Sequence, residues 1–512
     1  MRKILLCSTL MLFVSYVAWG QTADRSQAGP AFATQDDSLG GSNATPAPAA
    51  TAGEQPAAPK TSSAQPPQMP PIPPYLIKVA QLSAKFDDLN PKGWAIPYPT
   101  TGDTVIQDAG GVRTELAKHH IGFSIWNING VYDNLATNGH HNPQVFNGQK
   151  PTFNGFEILF FTYNIPSQHL QFVIAGAGYN AAWKNLGPHA LRLDQLAVHQ
   201  DVFGGKGEWK AGYLTNDSQW AGGYTGGSVA GGTLGLNAVI AYEVGQNRTP
   251  DAVPAFDFKY RFTKQLYVRT GIQRSIPVGG AEEEQKENLT GFRPWSGNSK
   301  ARALFINELG WQQAAMPGVK QTWVRVTQWY NLTKFPNYEG QVFTGQALPN
   351  TARNWAVSAA ADHQIWQKNK YLAYQGLYGG ATFQYAPPQE NLYSQYYEAR
   401  LYGFGLLPKR PLDMTTLLVN RTGFSSIVET YLRSAPANLG LPAGTNMSAG
   451  SLNSTQFGVP TYASTTSVTV AYMVHLWQGT NVNFGVMRTM HPTFAPQLRP
   501  STVGVVNIAQ FF

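Results

Sequence analysis

The stretch "FDFKYRFTKQLYVRTGIQ", residues 256–273, poses the choice of fold. Phe256, Phe258, Tyr260 and Phe262 alternate with Asp257, Lys259 and Arg261. After Thr263-Lys264 the alternation resumes, with Leu266, Val268 and Ile272 against Arg269 and Gln273. A period of two marks extended strands, because successive side chains point to opposite faces. The stretch reads as a hairpin with one aromatic face and one charged face. In a soluble sandwich the aromatics would form a core and the charges would meet solvent. In a membrane barrel the aromatics would face lipid and the charges a wet lumen.

Working outward, Met1 to Gly20 has the form of a secretory signal. Arg2 and Lys3 begin it, an apolar run follows from Ile4 to Val17, and Ala18-Trp19-Gly20 supplies small residues for cleavage. The apolar run is too short for a bilayer span. The chain's single cysteine, Cys7, lies inside it, so the exported chain is expected to rely on backbone pairing and packing rather than disulfides. Charged residues are 13% of the chain, aromatics 12%, and there are 51 glycines. This balance, without a long apolar segment after the signal, suits a membrane barrel; it equally suits a secreted β-rich lectin or glycosidase. The formal charge is +8, and removing Arg2 and Lys3 leaves +6. With no compact Lys/Arg cluster, nucleic-acid binding has no support. A dispersed positive excess could bias a pore toward anions or simply sit in loops.

Residues 21–74 are rich in Ala, Pro, Ser, Thr, Gln and Gly, ending in "QPPQMPPIPPY", and read as a disordered leader. In residues 75–118, Leu76, Val79 and Leu82 have helical spacing, so a short helix, a plug-like element or a plain linker all fit. Residues 119–512 read as strand after strand. The segments include 121–130, 155–165, 169–180, 190–200, 207–214, 233–244, 301–311, 320–332, 353–366 and 370–386, and continue through 394–406, 413–432, 466–479, 480–490 and 501–512. Many are longer than the ~5–6 residues of a soluble strand and close to the ~9–11 of a membrane strand. Short turns such as Thr263-Lys264, "MPGV" and "QGT" alternate with long Gly/Pro-rich loops, the asymmetry of outer-membrane barrels. Roughly 390 residues at about 24 per strand and connection give about sixteen strands. The expected fold is all-β: a transmembrane antiparallel up-and-down β-barrel with a disordered leader. Phe512 shares a face with Val506 and Ile508, as in the last strand of barrels delivered to the outer membrane, although Gln510 interrupts the apolar run.

Parity also nominates lumen residues: Arg192 with Asp194, Glu208 with Lys210, Asp257 with Lys259 and Arg261, Arg269, and Arg325 beside Trp323. A sugar entering a narrow lumen sheds part of its hydration. Charged donors and acceptors replace that water, aromatics meet its ring faces, and binding must stay weak enough for release. The bland reading of each is a hydrated wall charge. His119-His120 and His140-His141 lack a metal-ligand pattern, and "GGAEEEQKEN" (279–288) lacks calcium-loop spacing and reads as a solvated charge run. No G-x-S-x-G, P-loop or H-E-x-x-H occurs, which argues against an enzyme.

Three stretches resemble the bacterial carbohydrate-selective outer-membrane porins. They are "LAKHHIGFSIWNINGVYDNLATNG" (116–139) followed by "VFNGQKPTFNG" (145–155), "LRLDQLAVHQDVFGGKGEWKAGYL" (191–214), and "VTVAYMVHLWQGTNVNFGVMRTMHPTF" (468–494). The resemblance implies a sixteen-stranded monomeric or trimeric channel for glucose and related sugars. Expected partners are small sugars, outer-membrane lipid and lipopolysaccharide, and the assembly machinery that reads the strand ending at Phe512. No cofactor or metal is expected. The rival readings are a general or anion-selective porin on the same barrel, a barrel-embedded enzyme, and a secreted carbohydrate-binding protein.

Overall fold

The structure, a computed structural model, describes residues 73–512 except 97, 137–143, 145, 183–190, 226–238, 295–299, 345, 370, 435–461 and 493–497. The signal, the leader and His140-His141 therefore lie outside the described residues, save the last leader residues at 73–74.

Sixteen antiparallel strands close into one barrel, each paired with its neighbours in sequence and β1 with β16. The first half comprises β1 (Ile121–Asn134), β2 (Thr152–Ile165), β3 (Leu170–Ala181), β4 (Arg192–Val202), β5 (Gly207–Leu214), β6 (Val253–Arg261), β7 (Leu266–Arg274) and β8 (Ala303–Gln313). The second comprises β9 (Thr322–Pro336), β10 (Asn350–Gln367), β11 (Gly376–Tyr385), β12 (Tyr393–Phe404), β13 (Met414–Phe424), β14 (Ser464–Trp477), β15 (Thr480–Met490) and β16 (Ser501–Phe511). Closure leaves no sheet edge unpaired, which a β-structure in lipid requires.

The hairpin 256–273 becomes β6 and β7, with Phe256 opposite Ile272 and Lys259 opposite Arg269. Its turn is fixed by Thr263, whose Oγ1 accepts from the backbone N–H of Gln265 (3.1 Å) and Leu266 (2.9 Å). Phe256 and Phe262 are exposed on the outer wall, whereas Asp257 and Lys259 are buried on the inner one. Short turns gather at one end of the barrel and long connections at the other.

Two stretches expected as strand differ. In 233–244, residues Val239–Glu243 form a helix, part of the long β5–β6 connection that folds into the barrel. Ile240, Ala241 and Val244 have one-turn spacing and pack fully buried with Trp329, Leu304 and Ile306 on the inner wall. In 413–432 the strand stops at Phe424. Ser425 then caps a helix, Ser426–Arg433, by accepting from Val428 N–H at 3.1 Å.

Residues 74–118 carry two helices, α1 (Pro74–Phe86) and α2 (Val112–Lys118), and their connection lies against the inner wall at the short-turn end. Gln171 binds both Lys92 N–H (3.0 Å) and Asn90 C=O (3.0 Å). Asn164 donates to Asp88 C=O at 2.9 Å. Asp103 accepts from His475 Nε2 (3.0 Å) and Gly479 N–H (3.1 Å), and Val105 N–H donates to Phe511 C=O (2.7 Å). Trp94 and Tyr98 pack among Trp126 and Phe160 of β1 and β2. This segment narrows the barrel from one end, while residues 215–225 and 239–252 of the β5–β6 connection pack inside it.

Candidate functional site

The alternation of β5, β6 and β7 brings Glu208, Lys210, Asp257, Lys259 and Arg269 to one inner surface. Lys259 and Arg269 stand directly opposite each other, an arrangement that like charges resist. Each is neutralised. Lys259 Nζ lies 3.4 Å from Glu208 Oε1, and Arg269 lies 3.9 Å from Asp257. Arg269 also donates to Gln219 C=O (2.6 Å), Gln219 Oε1 (2.8 Å) and Gly93 C=O (2.9 Å), with its guanidinium 4.7 Å from the Trp220 ring. Trp220 Nε1 donates to Asp257 at 3.2 Å. Lys210 Nζ donates to Lys92 C=O (3.1 Å) and Gln195 Oε1 (2.9 Å). Thus Arg269 and Lys210 hold the inner segments rather than standing as hydrated wall charges: backbone carbonyls of Lys92, Gly93 and Gln219 take up their donors.

Arg192 and Asp194 lie where β4 breaks register with β3. Arg192 meets Asp251 at 3.3 Å and donates to Asn288 C=O at 2.7 Å, while Asp194 accepts from Thr215 at 3.1 Å. Burial pushes the Asp251 carboxyl up to about 6, with Arg192 and Arg248 pulling the other way. Arg261, at the short-turn end of β6, stays half-exposed.

A second group spans β7, β8 and β9. Arg325 lies 4.0 Å from the Trp323 ring, 3.9 Å from Glu308, and donates to the backbone carbonyl of Gly222. Trp323 Nε1 donates to Tyr267 OH (3.0 Å), and Tyr267 OH and Thr327 Oγ1 each donate to Glu308 (2.8 Å). A third group escaped sequence reasoning. Across β10, β11 and β12, Arg400 donates to Asp362 (2.6 and 2.8 Å), Glu398 (2.7 Å) and Thr382 (2.8 Å), and Tyr402 OH donates to Asp362 at 2.9 Å. Tyr402 stacks on Tyr378, and both belong with Trp323 and Tyr224 to one buried aromatic cluster. The available signal was parity: Glu398 and Arg400 alternate with Tyr397, Ala399 and Leu401.

Among the described residues, His199, Asp201 and Glu208 form a three-ligand cluster that could hold a metal. Glu208 already serves His199 (3.1 Å) and Lys259, so an ion would have to displace a cation. His119 and His120 are exposed at the start of β1. The run 279–288 is not simply solvated. It forms a helix, Gly280–Glu287, whose Glu284 is fully buried and binds Arg274 through both carboxylate oxygens (2.8 Å for one).

A closed sixteen-strand barrel, apolar outside and lined inside with paired charges and aromatics, defines the porin class. The carbohydrate-selective porin, OprB family, matches residues 145–476, and the chain belongs to that family; it is a porin for passive diffusion of sugars. Its fold aligns with Pseudomonas putida OprB in the high-pH structure at TM-score 0.67 and 17% identity, covering 80% of this chain and 98% of that one. The low-pH structure of the same porin aligns over the same shares at TM-score 0.48 and 14% identity. A search of the curated proteins found none that matches.

Proposed function

We propose that this protein passes glucose and related neutral sugars across the outer membrane, without catalysis, through the passage bounded by the three inner-wall groups. The observation that carries this is charge pairing. Arg192, Lys259, Arg269, Arg325 and Arg400 each face a carboxylate within 4 Å. Such a wall offers dense donors and acceptors for hydroxyls while its net field stays small, which disfavours the anion-selective alternative. The buried Trp323 ring lies against Arg325, and Tyr402 OH shares Asp362 with Arg400, so the aromatics brace these guanidinium groups. The terminal strand ending at Phe512 is the segment the assembly machinery would read.

Measuring sugar block of ion current through the reconstituted channel tests the role of this wall. Arg325→Ala removes donors beside Trp323 and leaves Glu308 unbalanced. Sugar affinity should fall roughly tenfold or more, the equivalent of the ~1.5–3 kcal/mol of a charged hydrogen bond, and selectivity should move toward cations. Unchanged sugar affinity with altered ion selectivity would remove Arg325 from the sugar path.

A further inference from the structure

Long connections mark one end of the barrel, the end that in outer-membrane barrels meets the outer leaflet. At that end β9 and β10 place Lys334 and Arg353 directly opposite each other. Both are exposed on the lipid side. Lys334 follows the parity of the exposed Val324, Val326 and Tyr330, and Arg353 donates to the outward Tyr330 OH at 2.9 Å. Like charges at opposed positions repel. On the inner wall Lys259 and Arg269 meet the same problem with carboxylates. The outer pair has no carboxylate within ion-pair reach among the described residues: β9 has no acidic residue, and Asp362, the one in β10, is buried inside. Lys334 Nζ is held by Thr351 C=O at 2.8 Å, so each cation has spent one donor on the protein and keeps the rest.

Two features extend the pair toward the middle of the wall. Tyr330 stands opposite Trp355, whose ring lies 5.7 Å from Tyr385, and amphipathic rings of this kind sit at headgroup depth. Farther from the rim the wall is shallow. Ala361, Ala381 and Ala399 share one row across β10, β11 and β12 with Val419 of β13. With Val326 and Ala359 they line an apolar outer groove of about 560 Å³. Arg421 edges that groove on the rim side, opposite Tyr397, exposed and likewise without a carboxylate among the described residues. A phosphate neutralises the opposed pair, and a saturated acyl chain fits the alanine trough.

We propose that the outer wall of β9–β13 binds the phosphorylated glycolipid of the outer leaflet, lipopolysaccharide, with Lys334 and Arg353 holding a phosphate and the alanine groove an acyl chain. Cations at two stations, the pair and Arg421, suit a headgroup with two phosphates better than a phospholipid with one. The inference rests on the reading as an outer-membrane barrel and is independent of sugar passage. The test is native mass spectrometry of the full chain, delipidated in detergent and titrated with diphosphoryl lipid A, monophosphoryl lipid A or phosphatidylglycerol. The unaltered protein should bind diphosphoryl lipid A several-fold more tightly than the other two. Lys334→Ala combined with Arg353→Ala should weaken that binding roughly tenfold, and Ala381→Trp, which fills the groove, should weaken it as well. Lys320→Ala removes an exposed cation at the short-turn end that also holds a backbone carbonyl (Ile365, 2.5 Å), and should change nothing. Equal affinity of the unaltered protein for the three lipids, undiminished binding by the double variant, or an equal loss with Lys320→Ala overturns the proposal. Sugar-dependent current should persist in the double variant; its loss in the unaltered protein would instead count against the transport reading.

Discussion

The Arg269 guanidinium joins three parts of the chain. It reaches Asp257 on β6, Gln219 on the β5–β6 connection, and Gly93 in the segment that precedes the barrel. Charge at a buried joint is costly to remove by halves, since the surviving partner keeps its desolvation without its counter-charge; such losses run to about 3–5 kcal/mol. Arg269→Ala should therefore loosen both inner segments, raise single-channel conductance and open-channel noise, and expose residues 88–107 to hydrogen exchange. Arg261→Ala, at a half-exposed strand end, should leave exchange in that segment unchanged. Equal effects of the two substitutions would remove the joint role of Arg269. Sequence parity placed Arg269 on the inner face because Val268 and Ile272 fix the outer one. Its partners were illegible, since Gly93 and Gln219 lie 176 and 50 residues away and carry no periodic signal.

At the scale of elements, the strands were legible wherever one face is apolar, because lipid and lumen demand opposite side chains at every second position. The inward connections were not. The stretch 239–244 is as apolar as a strand, and only burial of Ile240, Ala241 and Val244 on Trp329 reveals its helical turn. The Asp362–Arg400 pair was hidden for a related reason: the registers of β10 with β11 and of β11 with β12 bring Asp362, Gly380 and Arg400 into line. Residues 74–118 posed the hardest choice between plug and tether. Their hydrogen bonds to β2, β3, β5, β7 and β14 predict distinct deletion phenotypes. Removing residues 21–72 behind the signal should leave conductance unchanged. Removing residues 21–111 should raise it several-fold, read as single-channel steps in planar bilayers. Equal steps for both deletions would mean that the segment does not narrow the path.

For the whole molecule, sixteen strands followed from chain length and turn spacing, and the closed barrel has that number. Much of the positive charge on the described inner wall is paired rather than free. The five inner-wall cations named above sit beside carboxylates, whereas Lys334, Arg353, Arg421 and Arg488 are exposed on the outer wall or rim. Composition alone cannot separate these populations; parity and register can. On the proposed function, the consequence is a channel that discriminates by hydroxyl geometry more than by charge. The measurement that tests this most directly is ion current through the reconstituted unaltered protein during a glucose titration, paired with the reversal potential under a salt gradient. The predicted result is a saturable fall in current with glucose, glucose entry in liposome swelling, and a reversal potential near zero. A current indifferent to every sugar tried, with a strong anion preference that collapses at high salt, would contradict it.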